Sequence, residues 1–235
     1  SGSEMQIHDE ERTPTDLMQD GEPVKTMDIA PLRRIDGAYP DCLAAYLGSR
    51  SPGTVYSLGD VGILKRKKLA LFCSVKCPGN LILKTYDLAR ELRDAGVTVI
   101  SGFHSPMEKE CLSVLLRGKQ PVIWCPAKRL MVKGVPKEYA GAIAEKRLLL
   151  LSPFDGKIKR ATEETALFLN EFVAALADQV FVPYAAPGSK TESFCRQIIE
   201  WRKSLLTFDD PDNATLRGLG AQSFRSVVSI AAGKP

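Results

Sequence analysis

LALFCSVKCPGNLILKTYDLARELRDAGVTVISG, residues 69–102, decides the fold. The stretch contains two short runs that are almost wholly apolar, residues 69–73 and 97–100, broken only by Thr98. A strand covered on one face alternates apolar and polar side chains, whereas a strand buried on both faces reads as an unbroken apolar run. Between the two runs, residues 81–95 place Tyr86, Ala89 and Leu92 on one face at helical spacing. That segment stops at Gly96, a residue suited to the left-handed turn that ends a helix. The stretch is therefore one β–α–β unit, two parallel strands joined by a crossover helix.

The same texture continues outward. Further apolar runs stand at residues 121–125, 148–151, 179–182 and 205–208, spaced by roughly the length of one such unit, about 30 residues. Helical patterns fill the gaps at 105–116, 138–146, 162–176 and 189–203. The first of these opens with Ser105-Pro106-Met107-Glu108, a capping box with proline at the first helical position. The last opens with Ser189-Lys190-Thr191-Glu192, read as a second capping box. Alternating strands and helices predict an α/β class, a Rossmann-like three-layer fold with a mainly parallel sheet flanked by helices. The expected organisation is a disordered N-terminal arm or tag at 1–27, a lead-in segment packing on the core at 28–64, the Rossmann-like domain at 65–208 and a C-terminal tail at 209–235. Ser1-Gly2-Ser3 reads as a cloning scar.

Composition narrows the classes. A chain of 235 residues that is 44% hydrophobic supports one sizeable core. Net charge is +4, a mild basic excess compatible with nucleic acid. The six cysteines, at 42, 73, 77, 111, 125 and 195, hold one close pair and no second pair to complete a zinc set, and there are only two histidines. No metal and no cofactor are expected, and the cysteines read as reduced thiols of a cytoplasmic protein. No segment is long and apolar enough to span a bilayer, and the first residues are too polar for a signal peptide.

In open parallel sheets, ligands bind beyond the carboxyl ends of the strands. Five predicted loops lie there, and their contents are small or basic: Ser74 and Lys76; Ser101, Gly102, His104 and Ser105; Lys128 and Arg129; Lys157, Lys159 and Arg160; Gly188, Ser189, Lys190 and Thr191. Small residues let a ligand approach the backbone, helix N-termini offer unpaired N–H groups, and cations supply counter-charge. A phosphate is the simplest ligand for such a rim. Residues 187–191 carry the Gly-Ser-Lys-Thr letters of a phosphate loop but lack its earlier glycine, which argues against a Walker-type ATP site. A plain turn with an N-cap, and an anion-binding helix start, both remain open for that stretch. Few aromatic residues are expected in the rim, so base stacking should be weak.

Several segments together resemble the DprA/Smf family of DNA-processing proteins. They are Tyr39-Pro40 with Tyr56-Ser57-Leu58-Gly59-Asp60, then residues 87–92 with 96–102, then residues 174–182 followed by Gly188-Ser189. The likeness covers roughly residues 39–208. It departs from the family where a Gly-Ser-Arg turn is replaced by residues 74–79, so that Lys76 would do the arginine's work. An Arg-Asn-Arg becomes Leu169-Asn170-Glu171, and Glu108 stands for an aspartate. The resemblance implies a non-enzymatic protein that binds single-stranded DNA, with a recombinase partner and a homodimeric assembly. Lys76, Lys128, Arg129, Arg160 and Lys190 would contact phosphates, Asn170 backbone or base, and the backbone at Ser101-Gly102 and Gly188-Ser189 would donate N–H groups. The alternative is a nucleotide sensor or nucleosidase akin to the lonely-guy phosphoribohydrolases, with Glu108 or Glu192 contacting ribose or acting in catalysis. A third reading is a protein-interaction module that has lost its ligand site.

Overall fold

The computed structural model describes residues 27–133 and 135–231. The expected N-terminal arm, apart from Met27, lies outside them. Strands β1 (Ala30–Arg33) and β2 (Thr54–Leu58) flank helix α1 (Cys42–Leu47). Then strand and helix alternate: β3 (Lys68–Leu71), α2 (Gly79–Asp94), β4 (Thr98–Ser101), α3 (Pro106–Leu115), β5 (Val122–Trp124), α4 (Lys137–Ala144), β6 (Leu148–Ser152), α5 (Glu163–Leu176), β7 (Gln179–Phe181), α6 (Lys190–Glu200) and β8 (Ser204–Thr207). The described chain ends with α7 (Ala214–Leu219), β9 (Gln222–Ser223) and α8 (Val227–Ala231).

One sheet holds all of these strands in the order β1-β2-β6-β5-β4-β3-β7-β8-β9. The six predicted strands pair in parallel, β9 joins in parallel at one edge, and β1 and β2 add an antiparallel pair at the other. The sheet thus runs past both expected borders of the Rossmann-like segment. Among the described residues no helix is long and apolar enough to cross a membrane, and the six cysteines are free.

The apolar runs are explained by two cores, one on each face. Ala70, Ile100, Ile123, Leu149 and Val180 point into a layer with Phe172 of α5 and Ile198 of α6. Their neighbours Leu69, Val99, Val122, Leu148 and Phe181 point the other way, towards Leu88 of α2, Cys111 of α3 and Ile143 of α4. Gly59 shows how closely β2 meets β6. It sits at φ +120°, and a Cβ there would lie 2.7 Å from the Leu148 carbonyl oxygen, so only glycine fits.

Four helices end in the same motif, in which the N–H of the residue after a left-handed one returns to a carbonyl in the last turn. The bonds are Val97 to Leu92, Arg147 to Ala142, Lys203 to Ile198 and Ala221 to Leu216. The left-handed residue is Gly96 (φ +74°) after α2 and Gly220 (φ +112°) after α7, but Lys146 (φ +57°) after α4 and Arg202 (φ +57°) after α6. A side chain in that conformation costs roughly 1 kcal/mol.

The first predicted capping box is present. Ser105 Oγ accepts from the Glu108 N–H, and the Glu108 carboxylate accepts from the Ser105 N–H. It reaches further, also accepting from the N–H groups of His104 (2.7 Å) and of Cys73 at the end of β3 (2.9 Å). Burial pushes the Glu108 carboxyl up while these bonds oppose the shift. Truncation to alanine would leave three N–H groups without their acceptor, each costing about 1–3 kcal/mol when buried. Glu108→Ala is expected to lose about 3 kcal/mol and to lower the melting temperature by roughly 10 °C. Calorimetry checks this; an unchanged melting temperature would show that the three bonds carry no stability.

Candidate nucleic-acid interface

A cavity of about 320 Å³ opens above the carboxyl ends of β4, β5 and β6. Three loops build it. Gly102, Phe103 and His104 follow β4, and Lys109 comes from the first turn of α3. Trp124 ends β5 and is followed by Pro126, Ala127 and Lys128; Lys159, Arg160 and Ala161 precede α5. The last two loops are tied together. Ser152 Oγ donates to the Lys128 carbonyl (2.8 Å), and the Arg129 N–H donates to the Ile158 carbonyl (2.9 Å).

The indole of Trp124 is fixed at two points. Its N–H donates to the Gly102 carbonyl (3.1 Å), and its ring meets Tyr139 of α4 edge-on at 5.3 Å. Gly102 leaves room for the imidazole, because a Cβ there would lie 2.5 Å from His104 Cδ2 and 3.1 Å from Leu169 Cδ2 and the ring would have to move. The imidazole thus rests against bare backbone. Desolvation first, and Lys109 second, hold the His104 pKa below its ordinary 6.5. Lys109, Lys128, Lys159 and Arg160 have no ion-pair partner among the described residues, and the cavity lining contains no carboxylate. The arrangement is suited to holding an anion beside a flat ring.

Of the residues expected in the rim, Gly102, His104, Lys128 and Arg160 line this cavity. Ser101 lies beneath it, buried, with its hydroxyl donating to the Leu71 carbonyl and accepting from the Phe103 N–H. Ser105 serves as the α3 cap. Arg129 is turned into the neighbouring loop, towards the Gly156 carbonyl (3.4 Å). Asn170, half-buried on α5, is outside the lining.

The remaining expected residues gather elsewhere. The strand order reverses between β3 and β7, and the loops after these strands carry Ser74, Lys76, Gly188, Ser189, Lys190 and Thr191. None of these lines the cavity. The crevice between the two loops is stitched shut, since Ser74 Oγ accepts from the Ala186 N–H (3.2 Å) and the Ser74 N–H reaches the Tyr184 carbonyl (3.2 Å). The two backbone donors expected for a ligand are used internally, Gly188 by the Glu192 carboxylate (2.7 Å) and Ser189 by the Ala186 carbonyl (3.0 Å). The second capping box is accordingly half-formed. Ser189 Oγ accepts from the Glu192 N–H, but the return bond falls one residue early, on Gly188. Lys190 is ion-paired with Glu163. Glu108 and Glu192 are both spent on backbone N–H groups, and neither lines the cavity.

Sequence reading passed over Trp124 and Lys109. The tryptophan closes an apolar run and looks like core, yet as the last residue of β5 it projects over the sheet's edge. It is the one indole in the cavity lining, in a rim that holds few aromatic rings. The available signal was an N–H-bearing ring at a strand's carboxyl end.

The chain matches the family model described as DNA recombination-mediator protein A over residues 31–218. No match is found among curated proteins. Among solved structures, the fold is similar to DNA processing protein A (DprA) from Streptococcus pneumoniae, with a TM-score of 0.71 and 17% identity, covering 89% of this chain and 75% of that one. It is also similar to DNA processing protein A from Helicobacter pylori, whose structure is described as giving insight into a single-stranded DNA binding mode. That comparison has a TM-score of 0.67 and 21% identity, covering 88% of this chain and 95% of the other.

With two histidines in the chain, NMR resolves the His104 titration directly. The expected midpoint lies below 6.5. Gly102→Ala should push the ring out into solvent and move the midpoint up towards 6.5. A midpoint at or above 6.5 in the unsubstituted protein would contradict this placement.

Proposed function

The chain belongs to the DNA recombination-mediator protein A family, and from that premise we propose that it binds single-stranded DNA without catalysing its chemistry, in the cavity above β4, β5 and β6. The observation that carries the reading is four cations with no ion-pair partner among the described residues around an anchored indole, with no carboxylate in the lining. Lys109, Lys128, Lys159 and Arg160 neutralise backbone phosphates. A base stacks on Trp124, and because any base offers a π-face, sequence preference is slight. Each phosphate neutralised on a single strand adds about −0.7 to the slope of log affinity against log salt. A recombinase partner and a homodimeric assembly belong to the same proposal.

The cavity's modest size favours one further reading, a sensor for a mononucleotide. A small ligand of that kind fills about 300 Å³, the lower end of ligand pockets. The nucleosidase form of this reading has less support, because the two carboxylates it needs are spent in structural bonds outside the cavity.

Fluorescence anisotropy of labelled oligo-dT at two salt concentrations tests the proposal. Lys128→Ala with Arg160→Ala should weaken binding at least tenfold and flatten the salt slope by about 1.4. Trp124→Ala should cost about 1–3 kcal/mol, or roughly 5–150-fold. Binding should also tighten as pH falls below 6.5. The His104 imidazole is neutral above its lowered pKa, and a nearby phosphate favours its protonated form. The charged groups facing the imidazole are Lys109, Lys128, Lys159 and Arg160, and His104→Gln should abolish the effect. Deoxythymidine monophosphate that binds as tightly as the oligonucleotide would favour the sensor; no binding of either at low salt would sink both readings.

A further inference from the structure

The opposite end of the sheet carries a second positive surface. Because β6, β5, β4, β3, β7 and β8 are parallel neighbours, the connections that enter them all lie at one end, in that spatial order. Neighbouring strands are about 4.8 Å apart, so this row of connections is about 24 Å long. Lys65, Arg66 and Lys67 lead into β3, and all three are exposed. Arg117 and Lys119 lead into β5, Lys146 into β6 and Arg202 into β8, again exposed.

Three acids in the same turns are ion-paired: Asp94 with Arg93, Glu145 with Arg147, and Asp178 with Lys68. The seven exposed cations have no ion-pair partner among the described residues. Three carboxylates near the row, the partly exposed Asp60 and the exposed Glu91 and Glu200, have no ion-pair partner among the described residues. Five helices, α2 to α6, also end here, each presenting about half a negative charge. That is about 2.5 units in all, so with the three carboxylates the seven cations still leave the face positive.

Backbone conformation supplies an independent observation. After α4 and α6 the left-handed position holds Lys146 and Arg202, whereas α2 and α7 make the same turn with glycine. Glycine meets that geometry without strain, and a favourable contact with the helix dipole is available from any position in the last turn. A strained residue that persists points to what its side chain does. Here both strained side chains are cations of the same row.

We propose that this amino-terminal end of the sheet is a second nucleic-acid face, which takes the sugar–phosphate backbone of duplex DNA. The row matches about seven base pairs of duplex, in which phosphate charge is most dense, one per about 1.7 Å. Trp201, the aromatic ring in these connections, is packed on Tyr46 at 5.2 Å, so unpaired bases find no stacking platform here. The face stands independently of the cavity reading.

The test is anisotropy of a labelled 24-base-pair duplex of mixed sequence, and separately of labelled oligo-dT, with the full chain at two salt concentrations. One variant combines Lys146→Gly and Arg202→Gly; a second adds Lys67→Gln and Lys119→Gln; a third carries Lys128→Ala and Arg160→Ala in the cavity. The fourfold variant is expected to bind duplex at least tenfold more weakly, with a salt slope reduced by up to about 0.9 per lost contact, while keeping oligo-dT affinity within twofold. The glycine pair is expected to weaken duplex binding with an equal or higher melting temperature, which separates loss of charge from misfolding. Absence of duplex binding by the unsubstituted protein, full duplex binding by the fourfold variant, or equal loss in the cavity variant would overturn the proposal. Failure of oligo-dT alone to bind would count against the cavity reading and leave the duplex face standing.

Discussion

The Glu108 carboxylate, placed where three backbone N–H groups converge, is the constraint on which the ligand end of the molecule depends. One oxygen accepts from Cys73 at the end of β3 and the other from His104 and Ser105 ahead of α3. A loop leaving a buried parallel strand carries polar backbone that must find partners. Here one buried side chain supplies them for two neighbouring loops at once. The Ser101 hydroxyl adds a further tie, from β4 to the Leu71 carbonyl of β3. The turn after β4 is thereby determined, including Phe103 in the left-handed region at φ +48°, and with it the position of His104.

That stitching decides where a ligand can go. In a sheet with this strand order the reversal between β3 and β7 is the expected crevice. Here its two loops are bonded to each other through Ser74, and its helix-entry N–H groups are consumed by Glu192 and Ala186. The open volume lies instead to one side of it, over β4, β5 and β6, where Trp124 and the loop cations form the wall. Glu108 and Glu192 show how one sequence pattern yields two geometries. Both follow a Ser by three residues. Proline at 106 enters α3 directly, so Glu108 meets its own cap, while Gly188 at φ +71° turns its N–H towards Glu192 and displaces the reciprocal bond.

The six central strands and five helices were legible because burial on both faces leaves an unmistakable apolar run. The edges were not. β1 is four residues with Pro31 inside it, tolerable only at a sheet edge; β9 is two residues; and β2 alternates, as a short strand near the margin does. The site was half legible. Loop position placed Gly102, His104, Lys128 and Arg160 correctly at the ends of neighbouring strands, since chain order fixes which loops share an end. It could not separate Lys128, which faces the cavity, from Arg129, which turns away, because adjacent residues in a loop differ only by backbone angles that tertiary bonds impose. Trp124 was missed for the complementary reason: its chemistry resembles core, and only its terminal place in β5 exposes it.

Both ends of this sheet are positive, and they are positive in different ways. At the carboxyl ends of the strands, helix N-termini and a steric cradle surround a concave site, with an indole to receive a ring. At the amino ends, helix C-termini would by themselves repel an anion, so positive charge there has to come from side chains that outnumber the dipoles. Lys146 and Arg202 hold that charge in backbone conformations that glycine occupies after α2 and α7. A concave cradle selects a ligand by shape as well as charge; a row of long cations on turns selects by charge spacing alone. On the two proposed readings, the same α/β topology that aligns six strands separates two kinds of anion recognition by the length of a strand.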